Sequence, residues 1–121
     1  MTPTLYDRLG PERLDTLLLA FYRNVQADPV IAPLFPADIA PVREKQRLFL
    51  TQFLGGPPLY NQAHGHPRMR MRHLPHAIDE TAVRHWLQCM WAAIDALDME
   101  DSFKKELFAA FPRLAVHMQN R

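Results

Sequence analysis

The sequence lacks several features that mark particular classes of protein. Cys89 is the only cysteine, which excludes an intramolecular disulfide and is typical of a reducing compartment. No apolar run approaches the roughly 20 residues that span a bilayer, and the first residues, MTPTLYDRLG, lack the apolar centre of a signal peptide. Fourteen Lys and Arg against thirteen Asp and Glu give no basic excess of the kind that nucleic-acid binding needs. We therefore expect a cytoplasmic protein with neither a membrane nor a nucleic acid as partner.

What the sequence does contain is apolar residues at helical spacing. Its 121 residues suit a single domain, 1–121. The spacing predicts a short turn from Thr4 to Gly10, then helices over 11–27, from Pro41 to the Gly55-Gly56 stop, over 79–97 and over 102–118. Pro112 should bend the last helix or free one of its carbonyls. Four prolines break 29–41 into turns or short helical pieces. No segment shows strand alternation, so the prediction is an all-α fold.

Three hydrogen-bonding side chains interrupt the apolar faces of three helices. Gln46 lies in the stripe formed by Val42, Phe49, Leu50 and Phe53. Tyr22 stands beside the inner face of the second helix, and Trp86 stands on the inner face of the fourth. A buried amide without a partner costs on the order of 1–3 kcal/mol. These side chains therefore either bond to nearby backbone or converge on one polar object, and the spacing alone permits both.

Helical periodicity is lost over 55–78, a stretch that holds four of the six histidines. Connections of this length in small domains are often functional. His64, His66, His73 and His76 offer enough imidazoles for a zinc site, although their spacing matches no known zinc pattern. The alternating Arg68, Arg70 and Arg72 could instead hold an anion. Over 64–76 the chain could thus serve a non-haem metal- or anion-binding module, or the protein could be a helical domain that only binds a partner.

Haem is the one ligand that would account both for the three hydrogen-bonding side chains on the helices and for the His- and Arg-rich stretch. Its iron takes an imidazole, its propionates take Arg or Tyr donors, and its flat apolar ring fits between helices. A polar group bound at the iron would give the three core donors a common partner. The zinc interpretation leaves those donors unexplained.

The segment LTQFLGGPPLYNQAHGHPRMRMRHLPHAI, followed by WLQCM, closely resembles the group II truncated globins, a family of bacterial and plant haem proteins. FYRNV and PLFP fit the same family. The resemblance runs from about residue 4 to about residue 118. It implies a two-over-two helical sandwich that encloses haem b.

The resemblance also implies roles for individual residues. His73 would be the proximal ligand of the iron. On the distal side, Tyr22, Gln46 and Trp86 would surround the open position, and Val42 would stand at the gate. The remaining residues implied to contact the haem are Phe35 at its edge, Phe49 and Leu50 on the apolar wall, Trp86 again, and Tyr60, Arg70 and Arg72 toward the propionates.

The sequence departs from the family pattern at two positions. His76 stands where the family usually has Phe, which exchanges an apolar contact for a titratable group. Val42 stands at a gate position where the family often has Ala, Ser or Thr, so this gate is bulkier and donates no hydrogen bond.

The function implied is reversible binding of O₂, CO or NO, with tight O₂ binding from the three donors. Such a pocket favours chemistry on the ligand, such as NO dioxygenation or weak peroxidase turnover, over oxygen transport. No catalytic residue is assigned. Turnover would need an external reductase, because the chain has no room for a reductase domain. The sequence is compatible with a monomer or a homodimer.

Overall fold

The protein is described here from a computed structural model, which describes residues 2–65 and 78–120. These residues form seven α-helices and one short 3₁₀ turn. In chain order they are α1 (Leu5–Leu9), α2 (Pro11–Ala27), the 3₁₀ turn (Ala32–Leu34), α3 (Ala40–Phe53), α4 (Leu59–His64), α5 (Glu80–Asp95), α6 (Asp101–Phe108) and α7 (Phe111–His117). No strand occurs in these two ranges, so the all-α prediction is confirmed.

The predicted helix boundaries rest on capping chemistry. Thr4 Oγ1 accepts a hydrogen bond from the Asp7 amide at 3.0 Å, and Asp7 Oδ2 accepts one from the Thr4 amide, so the two residues form a capping box. Asp79 caps α5 by accepting from the Ala82 amide at 2.8 Å. After α3, the backbone of Gly55 has a φ of +100°, a value that residues with a Cβ rarely adopt.

The structure differs from the sequence-based expectation at two places. Helix α4 lies within the stretch expected to be irregular, where Leu59 and Tyr60 turn inward after Pro58. The last predicted helix is divided in two, because α6 ends at Phe108 and α7 begins at Phe111. Pro112 has no N–H to donate to the carbonyl four residues earlier, so the α-helical ladder is interrupted just ahead of it.

Helix α2 lies at the centre of the packing, against α3 on one side and α5 on the other, while α5 also packs against α6 and α7. This is the two-over-two sandwich expected. Phe21, Met90 and Phe111 are among the fully buried side chains at its centre. Phe53 was placed on the inner stripe of α3 but is 39% exposed, because it lies in the last turn, where the stripe drifts outward. No helix in the described ranges is long and apolar enough to cross a bilayer.

Candidate functional site

Tyr22, Gln46 and Trp86, here called the polar triad, are all buried in the structure. Their exposed fractions are 3%, 9% and 9%. Helices α2, α3 and α5 each contribute one member, because each residue falls on the helix face that packs inward. Within residues 2–65 and 78–120, none of the three side chains makes a hydrogen bond. The alternative that they bond to neighbouring backbone is therefore not what the described part of the structure contains.

Phe21 brings two members of the triad together. Its ring lies edge-on to Tyr22, at a centroid distance of 4.9 Å, and edge-on to Trp86 at 5.1 Å. Tyr22 also contacts the ring of Phe35 at 6.0 Å. Such edge-to-face pairs hold each ring in a definite orientation. Tyr22, Phe35 and Trp86, which the sequence placed on three separate segments, therefore form one aromatic group.

Next to this group lies an apolar cavity. Phe35 and Trp86, both predicted site residues, form part of its wall. Sequence reasoning did not assign the rest of the wall to the site. The residues of its lining that the structure describes are Ile31, Leu34, Phe35, Ile78, Ala82, Val83, Trp86, Ala115 and Met118. None of these nine carries a charged side chain, and the indole nitrogen of Trp86 is the one side-chain hydrogen-bond donor among them.

Phe49, expected on the apolar wall, and Tyr60, expected toward the propionates, belong to a second aromatic group on α3 and α4. Phe49 is stacked on Phe53 at 5.6 Å and lies edge-on to Tyr60 at 5.7 Å. Tyr60 in turn lies 5.1 Å from the ring of His64. Phe53 contacts Phe111, which also contacts Trp86, so the two groups are continuous through α7. Leu50 is fully buried beneath them.

The remaining predicted residues fall into two classes. Val42 is half-buried on α3 and packs against the core, and its role as a gate stays a prediction. His73, Arg70, Arg72 and the departure at His76 lie outside the described residues. The assignment of the proximal ligand therefore stays a prediction.

The electrostatics of the site favour a protonated Tyr22. Burial raises the pKa of Tyr22 well above its ordinary value, and the positive charge of Arg43 on α3 partly opposes that effect. The phenol consequently keeps its proton at neutral pH and can act as a hydrogen-bond donor.

His85 and Asp28 form a pair that sequence reasoning missed and that stabilises the position of a helix of the site. Nδ1 of His85 lies 2.8 Å from Oδ2 of Asp28, which joins α5 to the turn after α2. Asp28 Oδ1 also accepts from the amides of Val30 and Ile31 at 2.8 and 3.3 Å. Because His85 precedes Trp86, this pair fixes the helix that carries the indole. No spacing in the sequence signals a contact across 57 positions.

These residues fit a haem group. The apolar lining suits a flat hydrocarbon ring, and donors on buried side chains that no described residue binds suit a polar ligand held beside it. In the described ranges, by contrast, no group of three His, Cys, Asp or Glu side chains is arranged to hold a metal ion directly. Most of the 64–76 segment of the rival hypothesis lies outside those ranges.

Comparisons with known proteins agree with this arrangement. The family model described as bacterial-like globin matches residues 4–120. The chain is 42% identical over 116 residues to the group 2 truncated hemoglobin YjbI of Bacillus subtilis strain 168, a match that covers 96% of this chain and 88% of that protein.

Two solved structures have nearly the same fold. A truncated oxygen-avid haemoglobin from B. subtilis superposes with a TM-score of 0.91 at 42% identity, covering 97% of this chain and 99% of that one. The group II truncated hemoglobin of Bacillus anthracis superposes with a TM-score of 0.93 at 36% identity, covering 99% and 93%. The B. anthracis protein has also been solved with a tyrosine replaced by alanine and with a tryptophan replaced by leucine.

Proposed function

Because the chain belongs to the bacterial-like globins and, among them, to the group II truncated haemoglobins, we propose that it holds O₂ tightly at a haem iron ligated by His73 and serves redox or detoxification chemistry. Haem-based binding of a small ligand is the function of this family, and haem b is its prosthetic group. When bound, haem would supply an iron able to bind a diatomic ligand and donate electron density to it, and the imidazole of His73 would hold that iron. Everything else required of the pocket falls to the side chains of this chain.

The observation that carries the proposal is that three largely buried side chains, those of the polar triad, have donors that no described residue binds. Tyr22 O–H, the Gln46 amide and Trp86 N–H are all donors, and a ligand that gains electron density is an acceptor. Each well-aligned hydrogen bond to such a ligand is worth roughly 1–3 kcal/mol. Two or three together would slow ligand release by several orders of magnitude, which suits chemistry on the ligand better than delivery.

The B. anthracis structures lend support to this assignment. The tyrosine and tryptophan replaced in that protein are separated along its chain by as many residues as Tyr22 and Trp86 are here. Val42 contributes no donor at the gate, so the hydrogen-bond donors assigned to the pocket among the described residues are those of the triad.

Among the redox reactions, the pocket supports NO dioxygenation better than peroxidase turnover. Peroxide cleavage needs a group that accepts a proton and returns it. The cavity wall offers no histidine or carboxylate among its nine described residues, and the raised pKa of Tyr22 makes its phenolate scarce. Electrons would come from an external reductase. The single Cys89, buried and unpaired, supports a cytoplasmic location.

The test is an absorption spectrum of the purified protein in the ferric, dithionite-reduced and CO-treated forms. A strong Soret band that shifts on CO addition is expected. His73→Ala should lose haem or change the reduced spectrum, whereas the matched variant His64→Ala, at an exposed position, should change neither. A spectrum that stays featureless after hemin addition would overturn the proposal, and metal analysis of the 64–76 segment would follow.

A further inference from the structure

Arg43 follows Val42 on α3 and is half-buried in a cleft between α3 and α2. The cleft is lined by Arg43, Glu44 and Arg47 from α3 and by Asp15, Leu18 and Leu19 from α2. Leu18 lies one helical turn before Tyr22 and on the same face of α2. Arg43 therefore shares the cleft with Leu18, one turn from Tyr22 on α2, and lies one helical turn before Gln46 on α3.

The other charged side chains in this cleft largely interact with one another. Arg47 donates to both carboxylate oxygens of Glu44, at 2.9 and 2.6 Å. Asp15, an exposed residue, adds to the attraction on Arg47. The side chain of Arg43 makes no hydrogen bond or ion pair with any residue in 2–65 or 78–120, although its charge also attracts the Glu44 carboxylate from a greater distance. The cleft therefore holds a positive charge at Arg43 that no carboxylate binds directly.

The charge of Arg43 acts toward the inside of the protein as well as toward solvent. It is the group that opposes the effect of burial on the pKa of Tyr22. A charge at the border of an apolar pocket is screened far less than one in water. An anion beside the phenol would experience the same attraction, whereas a neutral ligand would not.

We propose that Arg43 is a specificity-determining residue that favours small inorganic anions, such as azide, cyanide or nitrite, over neutral ligands at the position beside Tyr22. The inference depends on the proposed haem function for the location of the ligand. It goes further by naming a ligand class and a residue that the sequence reasoning did not single out.

The test compares two dissociation constants in charge variants. Arg43→Gln removes the charge and leaves a shorter but still polar side chain, so the dissociation constant of the ferric protein for azide should rise roughly three- to tenfold. The CO dissociation constant of the ferrous protein should stay within about twofold. Arg43→Lys keeps the charge and should restore most of the azide affinity.

Arg47→Gln is the matched control, since it lies one turn further along α3 in the same cleft but is bound to Glu44. It should leave azide affinity within about twofold of the parent. Equal loss of azide and CO binding in Arg43→Gln would indicate a packing effect and overturn the proposal. Equal weakening of azide binding in the Arg43 and Arg47 variants would also overturn it.

A second measurement tests whether Arg43 lies close enough to Tyr22 to affect it, and it needs no bound ligand. In protein labelled with ¹³C-tyrosine, the NMR signal of the Tyr22 ring can be assigned by its loss in Tyr22→Phe. Its chemical shift should change in Arg43→Gln and stay the same in Arg47→Gln. An unmoved resonance would overturn the influence of Arg43 on Tyr22. If the protein takes up no haem, the proposed function fails, and the tyrosine spectrum of that same sample still decides the role of Arg43.

Discussion

Single side chains in this protein combine burial with an unused hydrogen-bonding group, and Tyr22 is the clearest example. Its ring is fixed between Phe21 and Phe35, so the hydroxyl points in one direction rather than sampling several. A donor held in place loses little entropy when a ligand arrives. The aromatic neighbours of Tyr22 therefore contribute to its function although they carry no polar atom.

Replacing Tyr22 with Phe should increase the O₂ dissociation rate roughly 10- to 100-fold, because one charge-assisted hydrogen bond is lost from the ligand. The ring contacts are kept, so the protein should stay folded. Stopped-flow displacement of O₂ by CO measures the rate. Leu19→Ala, at an exposed position on the same helix, serves as the control. An unchanged rate in Tyr22→Phe would mean that Tyr22 does not bond the ligand.

The ionised carboxyl of Asp28 contributes to the stability of the folded state. Burial alone would raise the pKa of Asp28, but hydrogen bonds from His85 and from the Val30 and Ile31 amides outweigh it and lower that pKa below its ordinary value. A carboxyl with a lowered pKa stabilises the folded state at pH values above its unfolded pKa. That stabilisation is lost as the pH falls through the lowered folded-state value.

Asp28→Asn should therefore reduce the free energy of unfolding by about 1 kcal/mol at neutral pH. The difference from the parent should shrink below about pH 4, where the parent carboxyl begins to take up a proton. Urea unfolding at a series of pH values measures it. Asp98→Asn, at an exposed position, should show no such trend. A difference that stays constant with pH would assign the effect to packing instead.

Among the elements, the turn between α3 and α4 leaves the least room for change. The amide of Gly56 donates to the Thr51 carbonyl at 2.8 Å. A Cβ at Gly56 would lie 2.6 Å from Cδ2 of Tyr6 and 2.7 Å from that carbonyl oxygen. This close approach also holds α1 against the end of α3, where the Tyr6 amide donates to the Leu54 carbonyl.

Gly56→Ala should lower the free energy of unfolding by about 2–3 kcal/mol, because both the ring and the backbone would have to move. Chemical denaturation measures the loss. In the Tyr6→Leu background the cost of Gly56→Ala should fall only in part, since the Thr51 carbonyl stays in place. Full relief in that background would show that the aromatic ring is the whole obstacle.

Helical periodicity predicted the positions of the helices well, but it predicted the points where a helix is interrupted less well. Spacing reports which face of a helix is buried, and that information is local. It correctly placed α2, α3 and α5 and the polar triad upon them. It merged α6 and α7, because the apolar residues on both sides of Pro112 keep nearly the same phase. The break was signalled by the proline, whose consequence is either a bend or a stop depending on packing.

For the molecule as a whole, haem should act as part of the core. The cavity wall draws on the 3₁₀ turn, α5 and α7, so a group that fills it would join elements far apart in the sequence. Haem at a thousand times its dissociation constant should add about 4 kcal/mol to the free energy of unfolding. For a domain of this size that corresponds to a rise in Tm of roughly 10–20 °C.

Circular dichroism of the haem-free and hemin-reconstituted protein checks that rise. His73→Ala should show a smaller rise with hemin, because one ligand bond is missing, while His64→Ala should behave like the parent. An equal Tm with and without bound haem would mean that the cavity is not where the group binds.

The sequence by itself determined the helical class, most helix positions and the three polar side chains on apolar faces, since each depends on residues a few positions apart. With the resemblance, it also led to the family. The tertiary structure decided which residues those helix faces contact. Phe21 bridges Tyr22 and Trp86, Asp28 meets His85, and Ile78 and Met118 close one cavity. Such contacts depend on how helices cross, and periodicity along one helix carries no information about its partner.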